Sequence, residues 1–338
     1  MQVDKILQIL PETIKVPIEK LLAKGNRSMK DFEEDFIEDF EEIRLRTNRP
    51  VIIKKTNLLF SLHKDGSLRK LGLPASDAIC PSKDEMEQIL LKASRFSVYA
   101  AEQQMRQGYL TIQGGHRIGI CGEVIFRDGQ IRGIRKVSSY NIRIAKELRG
   151  CAKLVYPWLW NQDQFLDTLI VSPVGLGKTT LLRDLIRLLS DGDGTHLPHT
   201  VGLADERGEV AACIDGVPQF DVGQNTDVLD GGSKTQTMPM LLRTMAPQIL
   251  AADEAGGSRD IQIFEQAKKW GTALLTTAHG TINRHLFDTD SAKMQFDRYI
   301  EIVLNEDNQR VFRIFNEKRQ QVETITGMKI AIGREGSV

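Results

Sequence analysis

Gly175, Gly177, Lys178 and Thr179 stand together in Val171-Ser-Pro-Val-Gly-Leu-Gly-Lys-Thr-Thr-Leu-Leu-Arg-Asp-Leu185. A loop that grips phosphate needs these residue types. Glycines let consecutive N–H groups curl around an anion, a lysine reaches along a polyphosphate, and a hydroxyl serves magnesium. Ser172, Pro173, Val174, Gly175, Leu176, Gly177, Lys178, Thr179 and Thr180 are therefore the expected nucleotide cradle. The apolar strand before them and the Leu181, Leu182, Leu185, Leu189 helix after them supply the context, and the helix N-terminus adds its positive dipole. One departure is visible: Ser172 stands where the first glycine of Gly-x-x-x-x-Gly-Lys-Ser/Thr is usual.

Well downstream, Ile249-Leu-Ala-Ala252 runs into Asp253-Glu254. The first carboxylate suits a magnesium shell shared with Thr179, and the second suits polarisation of water for in-line attack on a γ-phosphate. Paired acids at a strand end are also common surface turns, and it is the phosphate loop upstream that gives them a chemical reading. Ala273-Leu-Leu275 leads into Thr276-Thr-Ala-His-Gly280, placing Thr277 and His279 at the carboxyl edge of the sheet, where α/β ligands sit. His279 reads as a γ-phosphate sensor or as a capping histidine. Leu203-Ala-Asp-Glu-Arg-Gly-Glu209 is a further strand end; its Asp205, Glu206 and Arg207 either meet a cation or phosphate or close a salt-bridged turn. No Asn-Lys-x-Asp follows that would select guanine, so ATP with Mg2+ is the expected pair.

The elements around these residues follow two grammars. Beyond about residue 151, apolar strands at Leu169–Val171, Val201–Leu203, Ile249–Ala252 and Ala273–Leu275 alternate with helical stretches, the pattern of buried parallel strands with crossover helices. Tyr299–Leu304 and Arg310–Phe315 flank Asn305-Glu-Asp-Asn-Gln309 as an antiparallel hairpin. Before residue 150, short strands are expected at 43–45, 51–53, 58–62, 110–112, 117–121 and 123–126, with a capped helix opening at Ser82 and Glu85. Residues 1 to about 40 read as amphipathic helix, Phe32, Phe36 and Phe40 recurring along an acidic run. The expected organisation is an α+β domain over 1–150, an α/β phosphate-loop domain over 151–326, and a loose tail over 327–338.

Composition excludes several classes. Forty-five basic residues balance 45 acidic ones, so no global field draws the chain to nucleic acid. No apolar run reaches the roughly 18 residues of a membrane span, and the N-terminus lacks the pattern of a secretory signal; with the thiols below, the expectation is a cytosolic chain. Cys80, Cys121, Cys151 and Cys213 lie far apart without a Cys-x-x-Cys pair and read as free thiols.

The order phosphate loop, Asp205-Glu-Arg207, Asp253-Glu254, Thr277-Ala-His-Gly280 resembles the Walker A, aspartate, Walker B and histidine boxes of type II and type IV secretion ATPases. Glu42-Ile-Arg-Leu-Arg-Thr-Asn-Arg-Pro50, Gly114-Gly-His-Arg-Ile-Gly119, Ser139-Tyr-Asn-Ile-Arg-Ile-Ala145, Gly216-Val-Pro218, Asp221-Val-Gly223 and Thr226-Asp-Val-Leu-Asp230 resemble the stage III sporulation protein AA family of endospore-forming bacteria. The resemblance spans about residues 40 to 320 and implies a RecA-like phosphate-loop core behind a smaller α+β domain. It also implies a homo-oligomeric ring, a hexamer by analogy, docked peripherally on the mother-cell side of a sporulation stage III membrane channel complex. Carried over by motif, Lys178 and Thr179 hold phosphate and magnesium, Glu254 activates water, His279 reports on the γ-phosphate, and Asp205 and Glu206 are the aspartate-box acids. An N-terminal arginine completes the site in such rings; Arg117, Arg132, Arg135 and Arg143 are the candidates, with Arg143 preferred. Gln248 stands where an aspartate is expected, and Ala255-Gly256 where an isoleucine is usual. Two other readings share the core: a nucleic-acid-stimulated recombinase-type ATPase, with Arg132-Gly-Ile-Arg-Lys136 as its basic patch, and a nucleotide-gated scaffold.

Overall fold

Period-two alternation becomes sheet and the period of 3.6 becomes helix through most of the chain. The computed structural model describes residues 2–28, 40–55, 58–72, 76–95, 102–127, 129–254, 257–282 and 295–327. It divides into two compact units, with the boundary between Lys146 and Glu147.

In the first unit, helices α1 (Gln2–Ile9) and α2 (Glu12–Ser28) bury Ile6, Ile14 and Ile18, with Leu10 between the helices, against Phe40, Ile43, Leu45 and Ile53 of the sheet. Phe40 opens a strand rather than closing a helix: it is buried with Ile43 and Leu45, an irregularity between Phe40 and Glu42 keeping it on their core face; Phe32 and Phe36 lie outside the described residues. Strands β1 (Phe40–Arg46), β2 (Arg49–Lys55), β3 (Leu58–Leu62), β4 (Leu68–Lys70), β5 (Tyr109–Ile112), β6 (His116–Arg127) and β7 (Gln130–Arg143) form one sheet in the order β4-β3-β2-β1-β7-β6-β5. Every pairing in it is antiparallel. Two expected strands, 117–121 and 123–126, are one strand with a register shift at Gly122. A side chain at Gly122 would meet the carbonyl oxygen of Arg135 at 2.7 Å, so glycine is what lets β6 and β7 pass. Helix α3 (Lys83–Ala93) carries the expected capping box: Ser82 Oγ accepts from the Glu85 N–H, and the Glu85 carboxylate accepts from the Ser82 N–H.

In the second unit, β10 (Thr168–Ser172), β11 (Val201–Asp205), β12 (Thr226–Asp230), β13 (Ile249–Ala252), β14 (Ala273–His279), β15 (Arg298–Leu304), β16 (Arg310–Asn316) and β17 (Gln321–Thr326) follow the small hairpin of β8 (Trp160–Asn161) and β9 (Gln164–Phe165). The sheet order is β12-β11-β13-β14-β10-β15-β16-β17, parallel through β15 and antiparallel beyond it. Alternate residues of each strand face opposite layers. Ile170 packs with Leu182, Leu185, Ile186 and Leu189 of the helix Lys178–Asp191, whereas Leu169 and Val171 pack with Met238, Leu241 and Phe264 of the helices Lys234–Thr244 and Ser258–Lys269. A sheet buried on both faces needs near-continuous apolar strands, as β10, β11 and β13 are.

Among the described residues no helix is long and apolar enough to cross a membrane. All four cysteines are free, and burial pushes the Cys151 and Cys213 thiols up to about 12.

Candidate nucleotide site

The parallel register brings the motif residues together. Ser172, the last residue of β10, lies opposite His279, the last of β14; Ala252 of β13 lies opposite Thr276. Three carboxyl ends therefore converge at one edge, although Ser172 and His279 are far apart in sequence.

Gly175 (φ +84°) and Gly177 (φ +96°) take a left-handed backbone that L side chains rarely adopt, and the helix opens immediately at Lys178. A side chain at Gly175 would meet nothing within 4 Å, so the loop faces open space. Lys178 is nevertheless buried. Its Nζ donates to Ser172 O at 3.1 Å and Pro173 O at 3.3 Å, and meets His279 Nδ1 at 3.0 Å. Burial pulls this ammonium below its ordinary value against the opposing charges of Asp253 and Glu254.

Asp253 is held at both oxygens. Thr179 Oγ1 donates to Oδ2 at 2.8 Å, Thr277 Oγ1 donates to Oδ1, and the Glu254 N–H donates to Thr277 Oγ1 at 2.8 Å. A hydroxyl and a carboxylate side by side are hard oxygen donors of the kind magnesium takes. Among the described residues no group of three or more His, Cys, Asp or Glu side chains forms a metal cage. The donor set thus suits a cation that completes its shell with water and phosphate.

Glu254 is a non-glycine residue at φ +55°, a strained backbone fixed by its N–H bond to Thr277 and by Lys234, whose Nζ donates to the carbonyls of Asp253 and Glu254. Its carboxylate lies between Arg207 Nη1 at 2.8 Å and His279 Nε2 at 2.9 Å. Partial burial would raise this carboxyl, but the hydrogen bond from His279 and the charges of Arg207 and Lys234 outweigh it and hold it below the ordinary value.

Asp205 and Glu206 differ in kind. Asp205 is buried, and its carboxylate accepts from the N–H groups of Glu209, Val210 and Ala211. Arg183 clamps the same loop from the other side, donating to Glu209 O and Val210 O while lying over the Phe220 ring. Glu206 is exposed, 3.9 Å from Lys234 Nζ, and lines an open cleft with Asp205, Arg207, Glu209, Lys234, Asp253 and Glu254.

Arg143 belongs to the first unit, where it is largely exposed and its Nε is 3.8 Å from Glu42 Oε1. Arg117 lies over the Tyr109 ring and Arg135 pairs with Glu123. Lys234 escaped the motif reading because it opens a helix after β12, a short acidic strand whose exposed residues give little apolar signal. Gln248 ties β13 to the start of β11, its Oε1 accepting from the Thr200 N–H at 2.9 Å. Ala255-Gly256 lies outside the described residues.

A mainly parallel sheet with a glycine loop entering a helix, and acids at the adjoining strand ends, defines a RecA-like phosphate-loop NTPase fold. The family model for sporulation stage III, protein AA matches residues 12–322, and the chain belongs to that family. The stage III sporulation protein AA of Bacillus subtilis (strain 168) is 34% identical over 331 residues, covering 96% of this chain and 99% of that one. An uncharacterized protein, ycf45, of Porphyra purpurea is 25% identical over 156 residues, 46% of this chain and 25% of that one. Among solved structures the ATPase DotB of Legionella pneumophila superposes with a TM-score of 0.52 at 12% identity, covering 91% of this chain and 83% of that one, a likeness of fold.

Proposed function

We propose that the chain is a magnesium-dependent ATPase that drives or regulates a sporulation channel complex. The observation that carries this is the continuous line of contacts from loop lysine to acid, Lys178 Nζ to His279 Nδ1 and His279 Nε2 to Glu254 Oε1. A lysine ammonium only donates, so the His279 proton sits on Nε2, directed at Glu254. Cargo of phosphate at Lys178 is thereby felt at the acid that faces the cleft.

In this reading the loop N–H groups, Lys178 and Thr179 orient the polyphosphate, and Thr179 and Asp253 hold the cation side. Magnesium, when bound, supplies charge neutralisation on the phosphate oxygens. Glu254 accepts the proton of the attacking water, once the bound phosphate draws Lys178 and His279 out of their resting contacts. Arg207 pairs with Glu254 at rest and keeps that base from acting early. Asp205 acts at one remove, through the backbone of 209–211 that walls the cleft. Arg143 remains the proposed cation supplied by a neighbouring copy in a ring, a hexamer by analogy with secretion ATPases. The family's sporulation description supports work within a complex of sporulation proteins; docking on its membrane channel from the cytoplasmic side is part of the proposal.

The test is Mg2+-dependent ATP turnover across a protein concentration series with Lys178→Ala and Glu254→Gln. Turnover that disappears in both variants, with ATP binding retained in Glu254→Gln, is the expected result. Turnover unchanged in Glu254→Gln would overturn the assignment of the base, and ATP binding without any turnover would favour the nucleotide-gated scaffold.

A further inference from the structure

Arg310, the first residue of β16, is a cation without an anion among the described residues. Its guanidinium packs on the phosphate loop: a Cβ built on Gly177 would meet its Cζ at 3.2 Å and Nη1 at 3.3 Å. Its Nε is buried with no hydrogen-bond partner, and among the described residues no carboxylate pairs with it. Among the described residues the one ionisable neighbour acting on it is Cys151, whose thiol is pushed up to about 12 and is therefore neutral at physiological pH. A partly buried guanidinium with a buried, unmet N–H donor is costly unless something supplies the acceptor.

The backbone around Arg310 is fixed. Asn305 Oδ1 accepts from the Gln309 N–H at 2.7 Å, Asn305 N–H donates to Gln309 O at 2.9 Å, and Arg310 O accepts from Gly327 N–H at 2.8 Å. The turn and the β17 edge thus deliver the guanidinium to the loop from a strand on the side of β10 opposite the acids. Lys178, meanwhile, is occupied by Ser172, Pro173 and His279 on the acid side. The two cations flank the loop, and only Gly177, lacking a side chain, allows Arg310 its approach.

We propose that Arg310 is a phosphate ligand supplied in cis: its guanidinium takes up an α- or β-phosphate oxygen of a nucleoside di- or triphosphate seated in the loop. A planar fork of N–H donors matches two phosphate oxygens, and its charge shortens and strengthens those bonds. The inference rests on the nucleotide-binding reading above and adds a residue outside its motifs. Because Arg310 addresses the phosphates common to ADP and ATP, both lose affinity by the same factor when it is removed. Residues that address the γ-phosphate weaken ATP selectively.

The experiment is calorimetric titration of the full chain with ADP and with ATP, in wild type, Arg310→Gln and Arg310→Lys, alongside melting of each without nucleotide. Arg310→Gln is expected to weaken both nucleotides about tenfold or more, equally, with unchanged melting; Arg310→Lys restores part of the loss. If Arg310→Gln melts earlier, Arg310→Met, which keeps the packed stem, takes its place under the same criterion. Affinities within twofold of wild type for the glutamine or methionine variant overturn the assignment of Arg310 alone. Failure of the wild type to bind either nucleotide overturns the nucleotide site and Arg310 with it.

Discussion

His279 donates through Nε2 to Glu254 Oε1 at 2.9 Å, while Nδ1 of the same ring takes a hydrogen bond from Lys178 at 3.0 Å. One imidazole thus spans the gap between the residue that would meet phosphate and the residue that would meet water. The span depends on β14 lying between β13 and β10 in the sheet.

Replacing His279 with Ala breaks that span and leaves Glu254 paired with Arg207 alone. Chemistry should suffer more than binding: single-turnover hydrolysis is expected to fall roughly 10- to 100-fold, with nucleotide affinity changed by less than about threefold. Equal losses in both would show that His279 only shapes the pocket.

Asp205 satisfies three backbone N–H groups from inside the fold. In Asp205→Ala those donors are left buried and unmet, so a loss of about 2–4 kcal/mol is expected in denaturant unfolding. Hydrogen exchange at residues 209–211 should accelerate first. A loss below about 0.5 kcal/mol would mean that the loop holds its shape through Arg183.

Asp230, at the end of β12, carries a carboxyl raised to about 6 by burial and by the neighbouring charge of Asp205. The folded chain therefore holds this proton more tightly than the unfolded chain, whose value is 3.8. Its contribution to stability is present below the unfolded value, is lost as pH rises from there through about 6, and is level above. Asp230→Asn should raise the melting temperature at pH 7.5 and lose that advantage at pH 4. A variant that melts alike or earlier at pH 7.5 contradicts this.

Much of the phosphate-loop unit was legible from the sequence. β10, β11, β13 and β14 are buried on both sides and so read as unbroken apolar runs, and the glycine loop carries its own backbone requirements. The strands that went unseen have another character. β7 threads Arg132, Arg135, Lys136, Ser138 and Ser139 among its apolar residues, because long stretches of it face outward. β12 and β17 sit at the two edges of their sheet, where polar residues are tolerated.

For the site, the sequence by itself determined the chemistry on offer: a glycine loop, a lysine and hydroxyl at a helix start, and an acid pair and a histidine at strand ends. These are local properties, written in residue type and in spacing along one segment. Tertiary structure alone decided which of them touch. Strand order β13-β14-β10 and its parallel register set His279 between Lys178 and Glu254, brought Arg207 and Lys234 onto Glu254, and laid Arg310 of a distant hairpin against Gly177. Such contacts join residues whose separation in sequence carries no period or motif. They arise only when the buried faces of the strands and helices are packed together and every strand finds its neighbour.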